Sequence, residues 1–233
     1  MPVPRVAPPL VLSVGGSVLQ TGHDDDAYLV RLATLLRRLG RRQILVVTTG
    51  GGRTAREYIR LGRSVGLTEV ELDDLGIDVT RIHARLLAAL IGPPTPAHPP
   101  LTLAAAVHEA HRSSPIVLGG TEPGHTTDAV ASLIAVRLRA ARVVNATRVD
   151  GIYEHDPKLR PGARRFSQLA WPQFRRMIDK STTGEAGQEY VFDRLGAEAL
   201  SRARIPLRVV DGRDLPNLDR ALRGLPFVGS EVR

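Results

Sequence analysis

The sequence contains no cysteine, and aromatic residues are scarce, with one tryptophan, four tyrosines and four phenylalanines among 233 residues. Without cysteine the chain can form no disulfide framework, thiolate metal site or thiol nucleophile, so we expect a cytoplasmic protein. Long apolar runs are also missing, since those at 86–91 and 205–210 fall far short of the roughly 18 to 20 residues that span a bilayer. We therefore expect no membrane-spanning helix and, because a proline-rich start leads directly into a predicted strand, no secretory leader.

The net charge of +8 raises the question of a nucleic-acid partner, because Lys and Arg supply most nonspecific affinity for phosphate backbones. The arginines are dispersed over predicted helices, for example at Arg37, Arg137 and Arg202, and few aromatic residues stand between them. This distribution favours solvated helix faces, with anionic small ligands as the next alternative. We predict no nucleic-acid partner and no membrane partner.

Strands and helices are predicted to alternate along the chain. The predicted strands lie at 10–14, 44–48, 115–118, 142–146 and 206–210. Successive strands are separated by segments with helical spacing of apolar residues, which predicts a mainly parallel sheet covered on both faces. The fold class is therefore α/β, with ligands expected beyond the carboxyl ends of the strands.

Glycines follow three of the predicted strands, at 15–16, 50–52 and 119–120. Glycine removes the Cβ where backbone N–H groups could approach an anion, and a following helix N-terminus adds partial positive charge. One such pair is explained as simply by a tight turn, but three at equivalent strand ends favour a phosphate site. There is no Gly-Lys-Ser or Gly-Lys-Thr, and no Gly-x-Gly-x-x-Gly follows a strand, which disfavours P-loop kinases and Rossmann dehydrogenases.

Two loops concentrate polar side chains. Segment 119–128 combines glycines, hydroxyls, an imidazole and a carboxylate, and segment 149–158 ends in a lysine. That lysine, Lys158, could meet the β- and γ-phosphates, Tyr153 could cover a nucleobase, and Asp156 could hold a nucleotide or its Mg²⁺ ion. The simpler alternatives are a helix N-cap in the first loop and an exposed turn in the second.

Two other motifs are weak. The Gly-x-Ser-x-Gly pattern at 62–66 follows a predicted helix instead of a strand, which disfavours a hydrolase. His108 and His111 are three residues apart but have no third ligand nearby in sequence, so we predict no protein-held metal site.

Five segments of the sequence are distinctive: 11–19, 50–59, 71–77 with the following Thr80-Arg81, 119–131 with its Gly-His-Thr-Thr-Asp-Ala-Val-Ala core, and 149–158. Together they resemble the archaeal-type uridylate kinases of the amino acid kinase family. The likeness keeps the same order from about residue 10 to the C-terminus and is weakest at 92–114 and 160–186. It implies a three-layer αβα sandwich, the amino acid kinase fold, as a single domain over 1–233. The acceptor half would be 10–140 and the ATP half 141–233.

The resemblance also implies an activity: transfer of the γ-phosphoryl group of ATP to UMP, with Mg²⁺, in a homohexamer. The implied catalytic residues are Lys158, Arg56 and Asp128. The implied ATP-binding residues are Gly15, Gly16, Ser17, Gly52, Arg56, Thr147, Arg148, Tyr153 and Asp156. The implied UMP-binding residues are Gly51, Asp73, Thr121, Glu122, Pro123, Gly124, His125, Thr126 and Thr127.

Three positions depart from the family pattern. Ser13 stands where many amino acid kinases carry a first-strand lysine, Arg148 where asparagine is usual, and Arg194 where proline is common. Two other functions stay open at this point. One is a related kinase for another small acceptor, such as isopentenyl phosphate or a phosphonate. The other is a nucleotide-binding storage protein resembling the molybdenum storage proteins.

Overall fold

The computed structural model describes residues 7–20, 22, 24–155, 157, 160, 162–182 and 192–233, with the backbone alone for 180–182. The strands are β1 Ala7–Val14, β2 Gln43–Thr49, β3 Ile116–Leu118, β4 Arg142–Thr147, β5 Ile152–Tyr153, β6 Arg165–Phe166, β7 Gln168–Leu169, β8 Leu207–Asp211 and β9 Ser230–Val232. The helices are α1 Gly16–Leu19, α2 Asp25–Gly40, α3 Gly52–Ser64, α4 Glu69–Ile91, α5 Leu103–Ala110, α6 Thr127–Leu138, α7 Trp171–Thr182, α8 Arg194–Ala203 and α9 Leu215–Arg223.

Within the described residues, one sheet has seven strands in the order β3-β2-β1-β4-β8-β9-β7. The first five run parallel to one another, whereas β9 is antiparallel to β8 and parallel to β7. Strands β5 and β6 form a separate antiparallel pair in which Ile152 lies opposite Phe166. The predicted mainly parallel sheet is confirmed.

Both faces of the sheet are buried, because alternate side chains of each strand enter different apolar clusters. In β1, Leu10, Leu12 and Val14 pack with buried residues of α2, α4 and α9. Val11, between them, packs on the opposite face with residues of α5, α6, α7 and α8. Helices therefore cover both faces, which confirms the predicted three-layer sandwich.

The spacing of apolar residues predicts a helix over 78–90, but helix α4 begins nine residues earlier, at Glu69. Its N-terminus is a capping box, in which the Thr68 side chain accepts from the Glu71 N–H and the Glu71 carboxylate accepts from the Thr68 N–H. This reciprocal pair satisfies two N–H groups that a helix start leaves without partners, and so it extends the helix. The result is a helix of 23 residues that runs beside β2 and β3.

Two further expectations need correction. In the sequence Gly40 follows a run of helically spaced leucines, which predicts that it ends α2 as a C-cap. It is instead helical, and a Cβ there would lie 2.4 Å from Cδ of Pro115. Position 40 therefore requires a glycine because a larger side chain would clash with Pro115. Strands β6, β7 and β9 were not predicted, because two-residue and three-residue strands carry little periodicity. Helix α7 was not predicted either, and it lies within 160–186, where the family resemblance is weakest. Among the described residues, no helix is both long and apolar enough to cross a membrane.

Candidate active site

The five parallel strands end at one edge of the sheet, and the loops that follow them meet there. The N–H of Gly15, just after β1, donates to the carbonyl of Ala146 in β4 at 2.9 Å, and the N–H of Gly50 donates to Val14 at 2.8 Å. Beyond β4, the N–H of Gly212 donates to Thr147 at 2.8 Å. The predicted glycine loops therefore share one edge with the ends of β4 and β8.

The glycine loops after β1 and β2 pack backbone against backbone. A Cβ on Gly16 would lie 2.1 Å from the nitrogen of Gly52, and one on Gly52 would lie 2.6 Å from the carbonyl carbon of Gly16. Gly52 also has φ of +62°, in the left-handed region where glycine is favoured. No larger residue fits at either position without moving the other loop.

Two helices start in these loops, α1 at Gly16 and α3 at Gly52, and no described side chain caps either of them. The N–H groups of Gly16, Ser17 and Gly51 donate to no described residue. Side chains cap α4, α5, α6, α8 and α9, whereas α2, like α1 and α3, has no side-chain cap. Free N–H groups at neighbouring helix starts form an anion-binding surface. Arg56 of α3 is exposed and makes no hydrogen bond or ion pair with a described residue.

The third glycine pair packs against α4. A Cβ on Gly119 would lie 2.5 Å from Oγ1 of Thr80, and the N–H of Gly120 donates to that oxygen at 2.6 Å. Arg81 adds hydrogen bonds to the carbonyls of Gly120 and Thr121, at 3.3 and 3.2 Å. The N–H of Gly120 is therefore occupied by Thr80, so at this strand it is not available to an anion.

A cavity of about 180 Å³ lies between α3, α4 and the loop after β3. Its lining residues are Ala55, Ile59, Asp73, Gly76, Ile77, Thr80, Gly120, Glu122, Gly124, His125, Thr126 and Thr127. One wall is apolar and the other carries carboxylates and hydroxyls. The volume is below the roughly 300 Å³ at which ligand pockets begin, so it would enclose part of a nucleotide.

The loop over this cavity is tied to α4. Oδ2 of Asp73 accepts from the N–H of Gly124 at 2.8 Å. Nδ1 of His125 lies 3.0 Å from Oε1 of Glu122, although their geometry is not that of a hydrogen bond. Oγ1 of Thr121 is buried with no partner among the described residues. Asp73 therefore fixes the loop and keeps a second carboxylate oxygen for other partners.

Asp128 lies in the first turn of α6 and faces β1. The hydroxyl of Ser13, a side chain only 1% exposed, donates to Oδ1 of Asp128 at 2.6 Å. Burial of the carboxyl raises the pKa of Asp128 to about 6, the Ser13 hydrogen bond opposes that rise, and the negative charge of Asp193 adds to it. Thr48 and Asn145 lie on either side of Ser13 in the sheet register, so this carboxyl faces a polar strip of the sheet.

The loops after β4 are held by local contacts. The hydroxyl of Tyr153 donates to Oδ1 of Asp150 at 2.6 Å, and this hydrogen bond raises the pKa of Tyr153. Arg165 of β6 pairs with the same carboxylate. Arg148 is exposed and has no hydrogen bond or ion pair with a described residue. Asp156 and Lys158 lie outside the described residues.

Known proteins share this architecture and sequence. The sequence profile of the amino acid kinase family matches residues 8–211. The chain belongs to the amino acid kinase family. The uridylate kinase of Methanothrix thermoacetophila is 40% identical over 224 residues, which are 96% of this chain and 99% of that protein. The uridylate kinase of Thermoplasma volcanium is 39% identical over 223 residues, 96% of each chain.

Two solved structures extend the comparison of this amino acid kinase. The crystal structure of uridylate kinase from Archaeoglobus fulgidus superposes with a TM-score of 0.86 and 33% identity, over 97% of this chain and 100% of that one. The UMP kinase of Bacillus anthracis superposes with a TM-score of 0.76 over 96% and 95% of the two chains. At 21% identity, the latter likeness concerns the fold alone.

Most of the predicted site residues of this amino acid kinase are brought to one edge. Those described there are Gly15, Gly16, Ser17, Gly51, Gly52, Arg56, Asp73, Thr121, Glu122, Pro123, Gly124, His125, Thr126, Thr127, Asp128, Thr147, Arg148 and Tyr153. Ser13, Thr80 and His83 were not among the predicted site residues, yet each bonds directly to one of these loops or to Asp128. In a sequence they look like ordinary strand and helix positions. In the described part of the chain, no group of three or more His, Cys, Asp or Glu side chains could hold a metal ion.

Proposed function

We propose that this amino acid kinase transfers the γ-phosphoryl group of ATP to UMP, giving UDP and ADP. The observation that carries the proposal is the pair of uncapped helix starts, α1 and α3, beside a cavity that ends at Asp73. The triphosphate of ATP and the phosphate of UMP can meet where these helix starts meet, and the nucleoside of UMP can extend from there into the cavity. The archaeal relatives at 39–40% identity bear the name uridylate kinase, which agrees with this acceptor.

On the acceptor side, we assign the UMP phosphate to the N–H of Gly51 and the ribose to Asp73. The carboxylate oxygen of Asp73 that does not accept from Gly124 is available to ribose hydroxyls. The base would lie along the loop that carries Thr121, Glu122, Pro123, Gly124, His125, Thr126 and Thr127. The apolar wall at Ile59 and Ile77 provides a surface for a flat ring.

On the donor side, we assign the ATP phosphates to the N–H groups of Gly16, Ser17 and Gly52. Gly15, Arg56, Thr147, Arg148, Tyr153 and Asp156 complete the proposed ATP set. An oxygen of the UMP phosphate forms a bond to the γ-phosphorus of ATP, and the bond from that phosphorus to the β–γ bridging oxygen breaks. The bridging electrons leave with ADP, so no enzyme group needs to form a covalent intermediate. Catalysis then consists of alignment and charge neutralisation, for which Arg56 and Lys158 provide positive charge.

The described residues offer Mg²⁺ one carboxylate at this site. It is commonly held by substrate phosphates with one or two carboxylates, and Asp128 is a carboxylate at the sheet edge. Asp128, with Asp156 as a further candidate outside the described residues, would hold the ion together with the ATP phosphates. When bound, Mg²⁺ neutralises charge on the triphosphate. The side chain of Ser13 would keep the Asp128 carboxyl oriented.

Assembly, domain division and location are finer parts of the proposal. A groove of about 570 Å³ between α2, α3 and α4 is lined by the exposed side chains of Tyr58, Ile82 and Leu86. Exposed apolar groups that line one groove are typical of subunit contacts, which supports self-association, and the number of six subunits comes from the resemblance. Within one domain, we assign 10–140 to the acceptor and 141–233 to ATP. We also propose a cytoplasmic location, where UMP and ATP are both available.

Two other functions are less well supported. A kinase for isopentenyl phosphate needs an apolar channel, whereas six of the twelve residues that line the cavity here have polar or charged side chains. A storage protein would bind nucleotide without turnover, and the similar proteins described above carry the name of an enzyme.

A turnover panel tests the function. The purified protein is mixed with ATP and Mg²⁺ and with UMP, CMP, dUMP or isopentenyl phosphate in turn, and ADP release is measured. We expect the highest kcat/KM with UMP. Turnover of isopentenyl phosphate with none on UMP would assign the other acceptor, and tight ATP binding without turnover of any acceptor would favour storage.

A further inference from the structure

His83 connects helix α4 to the glycine loop that follows β2. Its Nδ1 lies 2.8 Å from the carbonyl oxygen of Gly50. A carbonyl oxygen can only accept a hydrogen bond, so Nδ1 must carry the hydrogen and donate it. The imidazole is half-buried and does not line the 180 Å³ cavity. His83 therefore contacts the loop from behind and is outside the proposed UMP pocket.

The hydrogen bond from His83 fixes the carbonyl of the peptide unit that joins Gly50 to Gly51. The N–H of Gly50 donates to the carbonyl of Val14 at 2.8 Å, and the carbonyl of Gly50 accepts from His83. In a planar trans peptide, the C=O and the following N–H point in opposite directions. Because the Gly50 carbonyl points toward His83, the N–H of Gly51 points away from it.

The N–H of Gly51 donates to no described residue, and Gly51 is the N-cap of α3. Three consecutive glycines have more backbone freedom than any other tripeptide, so the direction of this N–H depends on the contacts that the loop makes. The loop backbone packs against Gly16, and the Gly51 carbonyl accepts from the N–H of Ala55 at 3.2 Å. His83 adds the side-chain hydrogen bond to the Gly50 carbonyl, at the other end of the same peptide unit as the Gly51 N–H.

We propose that His83 is a positioning residue that holds the Gly50–Gly51 peptide so that the Gly51 N–H faces the acceptor phosphate. The inference rests on the proposed function, because it names Gly51 as the phosphate contact of UMP. It predicts that His83 contributes to recognition of the phosphate and contributes nothing to recognition of the nucleoside. A side chain that merely supported the fold would affect both.

The test compares UMP with uridine, which lacks the phosphate, on the full-length protein. We expect His83→Leu to weaken UMP binding by about tenfold, the effect of one lost hydrogen bond, while uridine binding is unchanged. His83→Asn places an N–H donor at the same distance from the backbone and should restore UMP affinity to within about threefold of the original. The matched control is His108→Leu, which changes an exposed helix histidine of α5 and should leave both affinities as they are.

Equal loss of UMP and uridine affinity in His83→Leu, or no loss at all, overturns the proposal, as does failure of His83→Asn to restore UMP binding. If His83→Leu does not fold, the unmodified protein labelled with ¹⁵N-histidine decides the question. The Nδ1 proton of His83, which bonds to the same peptide as the Gly51 N–H, should shift with UMP and stay in place with uridine, and the same response to both ligands would contradict the inference. If the unmodified protein turns over no UMP, the proposed function fails first, which the turnover panel shows separately.

Discussion

The two sides of the strand-end edge are held in different ways. On the acceptor side, the loops after β2 and β3 bond to one helix, α4, through Thr80, Arg81 and His83. On the donor side, Tyr153 bonds within its own loop to Asp150, which pairs with Arg165 of the small β5–β6 sheet. The acceptor side is therefore built on a long helix that packs on the main sheet, and the donor side on short local contacts. Acceptor recognition is therefore preformed, and changes to the local contacts around Tyr153 should have the smallest effects.

The largest expected effect comes from Gly16, which contacts the second loop through its backbone. In Gly16→Ala the new Cβ would lie 2.1 Å from the nitrogen of Gly52, and a backbone atom cannot move aside as a flexible side chain can. We expect a free energy of unfolding lower by about 3 kcal/mol, at the upper end for overpacking, together with loss of activity. Urea denaturation measures the first and the ADP-release assay the second.

Gly76→Ala is the matched control for stability. Gly76 is inside helix α4, and a Cβ there would meet only Cδ1 of Ile59 at 3.4 Å, an ordinary contact. Replacing a helical glycine by alanine should stabilise the protein by about 0.5 to 1 kcal/mol. If both variants were equally stable, the backbone packing described for Gly16 would be wrong.

An intermediate effect is expected for Asp128, at the boundary between the two sides. Its pKa is about 6 in the folded chain against 3.8 as the ordinary value, so the folded state binds more protons than the unfolded state between these pH values. Stability linked to this group is therefore full below pH 4 and falls as the pH rises to 6. Asp128→Asn does not titrate and can still accept from Ser13. It should be more stable than the parent at pH 7.5 by about 1 to 2 kcal/mol, after allowance for partial exposure.

Thermal or urea unfolding of both proteins at pH 4 and pH 7.5 checks this prediction. The informative quantity is the difference between variant and parent, because other groups titrate equally in the two chains. A difference of the same size at both pH values would show that the raised pKa is not linked to folding.

The smallest effect is expected on the donor side, for Tyr153→Phe. The change removes the hydroxyl that donates to Asp150 but leaves the ring, and Asp150 keeps its pairing with Arg165. We expect the KM for ATP to change by less than about threefold. Tyr153→Ala, which also removes the ring, should raise it further if the ring covers the adenine. A large effect of the Phe variant on UMP alone would overturn the division into two sides.

The sequence alone predicts the sheet and both helical layers, because apolar strands alternate with amphipathic helices of ordinary length. It does not predict the side-chain hydrogen bonds that join residues far apart in the chain. Ser13 and Asp128 are 115 positions apart, and nothing near either residue indicates that they bond. His83 lies on an amphipathic helix, where a histidine is unremarkable until the Gly50 carbonyl is placed beside it.

The sequence locates the loop glycines at the strand ends, but packing against neighbouring backbone is part of the reason why they are glycine. Gly16 and Gly52 are required by each other, and Gly119 by Thr80, before any ligand is considered. A sequence pattern shows where a Cβ is absent, but it does not show which neighbour occupies the space. The roles assigned to Asp156 and Lys158 stay predictions, since both lie outside the described residues.

The contact between Gly16 and Gly52 gives the two proposed substrates a direct route by which each can affect the binding of the other. No side chain lies between these loops to absorb a displacement, so a shift of one loop is passed to the backbone of the other. Any change that bound ATP makes in the affinity for UMP through this contact must be matched by an equal change that UMP makes in the affinity for ATP.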